Sequence, residues 1–262
     1  MSDVVLFDVA DGVAVLTLNR PERLNAWTPE LQTRYFDLLA ECAARDDVRA
    51  IVVTGAGRGF CAGADMQSLQ ALSGNGDGAI EGRPDDRPVT FPLTIHKPVI
   101  AAINGACAGL GLVMALMCDL RFAASEAKLT TAFVRRGLIA EHGISWILPK
   151  LVGPAVALDL LFSGRVVLGD EAASLGLVNR AVPAESVLDE AVAYARELAT
   201  YCSPASMSVI KQQVYADYLL ALDDAVAKAN QLMVESFSRP DFAEGVQSFV
   251  ERREPRFEPL AR

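Results

Sequence analysis

The chain has 262 residues, of which 52% are hydrophobic, 22% charged and 7% aromatic. That is enough apolar material for one large core, or a core with an appendage, without covalent staples. With only 19 Gly and 13 Pro, the composition excludes disordered, collagen-like and disulfide-scaffold proteins. A net charge of −9 argues against broad attachment to nucleic acid or an anionic membrane, although an acidic chain can still hold a phosphate locally.

In chain order, Val4–Val9 and Val13–Leu18 are apolar runs joined by Asp11-Gly12, a hairpin signal. Thr28-Pro29-Glu30 supplies an N-cap, a proline at the first helical position and an early acid. The helix it announces runs to about Ala44, with Leu31, Tyr35, Leu38, Leu39 and Cys42 on one face. A strand at Ala50–Thr54 leads into a glycine-rich loop, Gly55–Gly63, and a helix beginning near Asp65. Ser73–Arg87 is polar, Gly-rich and acidic and reads as a mobile surface loop, because strand-like sequence resumes at Pro98–Ile103. A small-residue turn at Asn104–Gly111, a helix to Met117 and a strand at Asp119–Ala123 follow. Pro154–Phe162 and Asp170–Leu175 read as short helices and Val178–Val182 as a strand. Val187–Ala199, Pro204–Glu235 and Pro240–Arg253 are helical by period. Alternating strands and helices followed by helices alone predict an α/β core with a helical C-terminal module.

The N-terminal segment lacks the basic region and apolar stretch of a secretion signal. The most apolar segment, Val99 to Met117, is interrupted by Asn104 and small residues, so no membrane span is expected. Cys42, Cys61, Cys107, Cys118 and Cys202 are odd in number and contain no CxxC, the pattern of reduced thiols in a cytoplasmic protein. His96 and His142 are too few for a histidine-rich metal centre, and no metal is expected.

Two segments share one grammar, an apolar strand, a run of Gly and Ala, and a helix start: residues 50–66 and 98–119. Small residues at such a turn let a ligand approach the backbone closely, and the first free N–H groups of the helix point at it. Two such turns converging would hold an oxyanion between two backbone donors. The plainer alternative is a pair of tight packing turns. A dinucleotide site at Gly55-Ala56-Gly57-Arg58-Gly59-Phe60 fails at the third glycine, where Phe60 stands.

Asn19-Arg20-Pro21-Glu22-Arg23-Leu24-Asn25-Ala26, Gly59-Phe60-Cys61-Ala62-Gly63-Ala64-Asp65-Met66 and Ala102-Ile103-Asn104-Gly105 through Cys118-Asp119 resemble the crotonase (enoyl-CoA hydratase/isomerase) superfamily. Gly164-Arg165, Ala172 through Asn179 and Glu251 through Pro255 continue the likeness in order over nearly the whole chain. The resemblance implies a crotonase-like spiral of ββα turns over residues 1–200 and a helical trimerisation module over residues 201–262, with homotrimers or dimers of trimers. It also implies a coenzyme A thioester as substrate and no further cofactor. The backbone N–H groups of Ala64 and Leu110 would form the oxyanion hole, and Arg23, Leu24, Ala26, Ala62, Asp65 and Met66 would line the CoA channel. Asp65 has a plainer reading as a helix N-terminal cap, and Arg23 as a solvated turn residue. Lys211 and Arg253 are candidate phosphate partners across a subunit boundary, and Asp119 a structural acid at a strand start.

Hydration of a 2-enoyl thioester asks for a water held by two carboxylates. The resemblance implies that hydratases of the superfamily carry these at the positions matching Val113 and Phe133, and neither residue can move a proton. Glu141, beside His142 and just before a helix, stands where isomerase-type members of the superfamily place one acid. A single carboxylate can take a proton from one carbon and return it to another when the dienolate oxygen is held. Otherwise Glu141 caps the helix at Gly143 or pairs with Arg135 or Arg136. The expected activity is double-bond isomerisation; the alternatives are acyl-CoA binding without turnover, or a hydratase or lyase using other carboxylates. Cys61 and Cys107 read as packing thiols, since no histidine claims either. Trp27 and Trp146 read as core or acyl-pocket residues, and RNA binding lacks a basic helix face.

Overall fold

In the computed structural model, which describes residues 3–65, 70 and 86–260, the chain opens with the hairpin of β1 (Val5–Ala10) and β2 (Val13–Leu18). Asp11 and Gly12 both take positive φ, 52° and 79°, the backbone that matches the twist of a two-residue hairpin turn. Helix α1 (Pro29–Ala44) starts where Thr28 accepts a hydrogen bond from the Leu31 amide at 3.3 Å. It buries the expected face, with Phe36 added. Strand β3 (Ala50–Gly55) follows.

Six strands form one sheet in the order β1-β2-β3-β5-β7-β10, where β5 is Val99–Ile103, β7 Leu120–Ala124 and β10 Arg180–Val182. Only the first pair is antiparallel. Strand β3 is buried along its whole length because both faces are covered. Ala50 and Val52 meet helix α6 (Val187–Tyr201), while Ile51 and Val53 face the main core with Leu31, Leu38 and Leu39 of α1. On α6 the buried residues Val187, Ala191, Ala195 and Ala199 recur every fourth position, one narrow small-residue stripe laid against the sheet.

A second sheet runs β4-β6-β8-β9, from Gly59–Cys61, Ala106–Ala108, Lys128–Thr130 and Val167–Leu168. Each of β3, β5 and β7 is followed at once by a strand of this small sheet, which makes the repeated ββ step of a spiral. Between β6 and β7 lies helix α2 (Leu110–Leu116); α3 (Ile144–Val152), α4 (Pro154–Ser163) and α5 (Gly169–Ser174) follow β8. The glycine turns therefore contain strands where the sequence reads only loop. Three-residue strands of Gly, Ala, Phe and Cys offer no alternation to detect.

The C-terminal helices are α7 (Pro204–Asp217), α8 (Leu222–Ser236) and α9 (Pro240–Glu251). The single helix expected over Pro204–Glu235 is thus two, divided at residues 218–221. No Gly or Pro marks the break, but Asp223 and Asp224 in the first turn of α8 suit its positive N-terminal end. The helix expected near Asp65 and the acidic loop through residue 85 lie outside the described residues. No helix among the described residues is long and apolar enough to cross a membrane.

Candidate active site

The first glycine turn is held from both sides. Ala62 donates to the Leu24 carbonyl at 3.0 Å, Trp27 donates to Gly63 at 2.7 Å, and Asp65 donates to Trp27 at 3.0 Å. These bonds frame a parallel bridge between Trp27 and Ala64. In such a bridge the bonds fall on the flanking residues, so the Ala64 N–H points away from the Trp27 strand. Gly63 takes φ +98°, and a Cβ on it would lie 2.9 Å from the Ala108 carbonyl oxygen and 3.7 Å from the Leu110 nitrogen. The two turns therefore touch, and only a residue without a side chain permits it.

The second turn is carried by β6, which pairs in parallel with β4 and sets Cys107 opposite Cys61. Gly109, at φ +50° and ψ −121°, then starts α2 without any capping side chain. Among the described residues neither the Ala64 nor the Leu110 amide donates a hydrogen bond. Each is half-buried. Two unspent N–H donors on two touching turns suit an oxygen that gains negative charge.

The segment of the proposed CoA channel is brought alongside. Residues 24–27 run beside residues 62–65, and Leu24 Cδ2 lies 3.3 Å from where a Cβ on Gly59 would stand. Arg23 is exposed at the end of a single 3-10 turn, Pro21–Arg23. Met66 lies outside the described residues. Asn25 is fully buried at φ +55°; its Oδ1 accepts from Arg20 N, and its Nδ2 donates to the Ala56 and Gly59 carbonyls. This organising role was missed in the sequence. Its signal is the residue type, since Asn is among the few non-glycine residues that enter the left-handed region readily.

Apolar residues follow the second turn. Val113 is wholly buried midway along α2, and Phe133 is 6% exposed. The Phe133 ring edge lies 4.0 Å from where a Cβ on Gly109 would stand. Glu141 occupies the loop that enters α3 and keeps a third of its side chain exposed, with Oε2 3.8 Å from His142 Nε2. A Cβ on the following Gly143 would lie 3.8 Å from the terminal methyl of Met117, at the C-terminal end of α2. Of the plainer roles for Glu141, neither appears among the described residues. Its side chain caps no amide, and Arg135 and Arg136 donate instead to the Ser163 and Ala132 carbonyls.

Lys211 and Arg253, read as phosphate partners, are engaged within the chain instead. Lys211 is 2.8 Å from Asp119 and also donates to the Pro92 and Lys97 carbonyls, with its side chain 9% exposed. Arg253 grips both oxygens of Glu244 at 2.6 and 2.9 Å and holds that carboxyl down at about 2. Asp119 is a structural acid at its strand start; it accepts from Val99 N, Lys211 and the Tyr215 hydroxyl. Burial and then the Asp119 charge push that tyrosine well above its ordinary value. Trp27, 4% exposed and edge-on to Tyr35, is a core residue. Trp146 is half-buried, with Tyr218 edge-on to it and Lys150 Nζ 4.5 Å above its ring.

Burial pushes the Cys42, Cys61 and Cys118 thiols up to about 12, and Cys107 is raised as well. Such thiols hold almost no thiolate at neutral pH. A bulky aromatic disulfide is therefore expected to titrate only the half-buried Cys202 in the native protein, and all five cysteines after unfolding. Rapid modification of Cys61 or Cys107 with loss of activity would restore the nucleophile reading. Among the described residues no group of three or more His, Cys, Asp or Glu could hold a metal.

Two strand-turn units of a ββα spiral meet at a pair of unspent amides, and the spiral is the crotonase-like fold that the sequence resemblance implies. Comparison with known proteins agrees. The family model for enoyl-CoA hydratase/isomerase matches residues 8–259. The chain is 34% identical over 261 residues to the 1,2-epoxyphenylacetyl-CoA isomerase of Escherichia coli, covering 98% of this chain and 99% of that one. It is 50% identical to a solved enoyl-CoA hydratase from Mycobacterium marinum, with TM-score 0.72 over 84% of this chain and 100% of the other. A solved enoyl-CoA hydratase from a Polaromonas species is 30% identical, with TM-score 0.89 over 97% and 99%. The chain belongs to the enoyl-CoA hydratase/isomerase family, within the crotonase superfamily, and is an enzyme of that group.

Proposed function

We propose that the protein moves a double bond in an acyl-CoA thioester rather than adding water across it. The observation that carries this reading is the pairing of two unspent amides, Ala64 and Leu110, with apolar side chains at Val113 and Phe133. The thioester oxygen sits between the amides. Glu141 takes a proton from the carbon next to the carbonyl, and electron density flows into the oxygen as the dienolate forms. The same carboxyl returns the proton two carbons further on, which regenerates both Glu141 and a neutral thioester. With Val113 and Phe133 apolar, those two positions offer no carboxylate pair to hold a water for attack.

Arg23, Leu24, Ala26, Ala62, Asp65 and Met66 line the route of the CoA moiety in this reading, and no further cofactor takes part. Residues 1–200 carry the site, and residues 201–262 assemble a homotrimer or a dimer of trimers. Large exposed apolar side chains on the last helices support assembly, among them Leu222, Val234, Phe249 and Val250, while α8 buries none of its residues in the lone chain. Five unpaired thiols fit a reducing cytoplasm.

The test is a direct comparison of two assays on the same preparation. Conversion of a 3-enoyl-CoA to the conjugated 2-enoyl-CoA is expected to outrun hydration of the 2-enoyl-CoA by at least about tenfold. Faster hydration would favour a hydratase using other carboxylates, and CoA-thioester binding with no turnover would favour a binding protein.

A further inference from the structure

We infer that Arg20 is a positioning residue that sets the direction of the Ala64 amide, a role that rests on reading this amide as half of the oxyanion hole. The Trp27–Ala64 bridge has two strands, and one guanidinium reaches both. Arg20 Nη1 donates to the Ala26 carbonyl at 2.5 Å, and Nη2 lies 3.3 Å from Asp65 Oδ2. Ala26 precedes Trp27 in one strand and Asp65 follows Ala64 in the other. The fork therefore staples the bridge at residues adjacent to the paired ones, and the peptide joining Gly63 to Ala64 is left little freedom to rotate.

The staple is itself anchored. Arg20 N donates to Asn25 Oδ1 at 2.8 Å, and the Arg20 carbonyl accepts from the amides of Arg23 and Asn25, both at 2.9 Å. The Arg20 and Asp65 side chains are 21% and 13% exposed, so solvent competes weakly for either. Planarity matters as much as charge. A guanidinium offers two donors in a fixed fork, whereas an ammonium is a single point with no fixed direction. Asp65, read in the sequence as a channel residue or a helix cap, gains from this pair a task on the amide side of the turn. Catalysis responds to such placement because oxyanion donors act only when aimed at the oxygen, and sub-ångström errors are felt in turnover.

The experiment uses the full-length protein and a chromophoric β-arylacryloyl-CoA, whose absorption band moves to longer wavelength when its thioester carbonyl is polarised. Wild type is expected to shift the band. A tightly bound probe without any shift would remove the oxyanion-hole reading itself, a failure distinct from failure of the role of Arg20. Given the wild-type shift, Arg20→Gln is expected to lose most of it and to lower kcat about 10- to 100-fold. KM should stay within about threefold, because the lost interaction acts in the transition state. Arg20→Lys keeps the charge and reaches one acceptor, so it is expected to recover only part of the shift. Where Arg20→Gln fails to fold, Arg20→Lys carries the test alone. A full wild-type band shift and kcat in either variant overturns the inference, and so does a loss of kcat with the shift intact.

Discussion

Glu141→Gln is expected to lower isomerase turnover by about 10²- to 10⁴-fold, the range for removing a general acid–base group. The change is nearly isosteric, so fold and ligand affinity should hold, and KM should change far less than kcat. The carboxylate is a third exposed, caps no helix amide and has only His142 as an ionic neighbour among the described residues. Its removal therefore costs only this 3.8 Å pair within them, and a loss of rate would report on chemistry. The backbone supports the same view. His142 takes φ +56° and Gly143 φ +83°, a tight left-handed step that presents Glu141 on the loop before α3. A non-glycine residue in that region costs about a kilocalorie per mole or more, which accords with a functional constraint. Steady-state kinetics with a 3-enoyl-CoA, and proton exchange at the carbon next to the carbonyl, are the measurements. Wild-type rates in Glu141→Gln would remove Glu141 from the mechanism, and retained exchange without isomerisation would assign it to proton return alone.

Gly111→Ala should damage both stability and turnover. A Cβ there would lie 2.2 Å from the Cys61 carbonyl oxygen and 2.8 Å from its carbon. Backbone of a paired strand cannot step aside as a flexible side chain would, so α2 and β4 must separate. Overpacking of this kind costs about 1–3 kcal/mol, and more when main chain is struck. The separation also moves the Leu110 amide away from the Ala64 amide, and a shift near 1 Å costs about 10²-fold in rate. Gly245→Ala on α9 is the control, because its Cβ would meet only the Phe257 ring at 3.8 Å. That variant gains helix propensity and should match or exceed wild-type stability by up to about 1 kcal/mol. Thermal unfolding and kcat of the two variants give the comparison. Equal melting temperatures for Gly111→Ala and wild type would show that β4 and α2 are not in the contact described.

Much of the fold was legible because local signals and burial agree. The Asp11-Gly12 hairpin, the Thr28 cap, the doubly buried β3 and the alanine stripe of α6 each combine a turn or capping residue with a matching apolar period. The short strands β4, β6 and β8 were not legible, since three residues carry no period and are ordered only by the strands beside them. Cations were the least legible feature. Lys211 reads in the sequence as a candidate phosphate partner across a subunit boundary, yet within the chain it bonds Asp119, 92 positions away.

By itself, the sequence determined the family through the order of its motifs. It also carried the residue types of the candidate site, because two small-residue turns and the apolar Val113 and Phe133 are matters of residue identity. Only the tertiary structure decided that the two turns meet, that their amides are left unspent, and which acids and bases are consumed within the chain. The reason is physical. A backbone donor has no side chain to announce it, and its availability depends on what every distant segment does with its own hydrogen bonds.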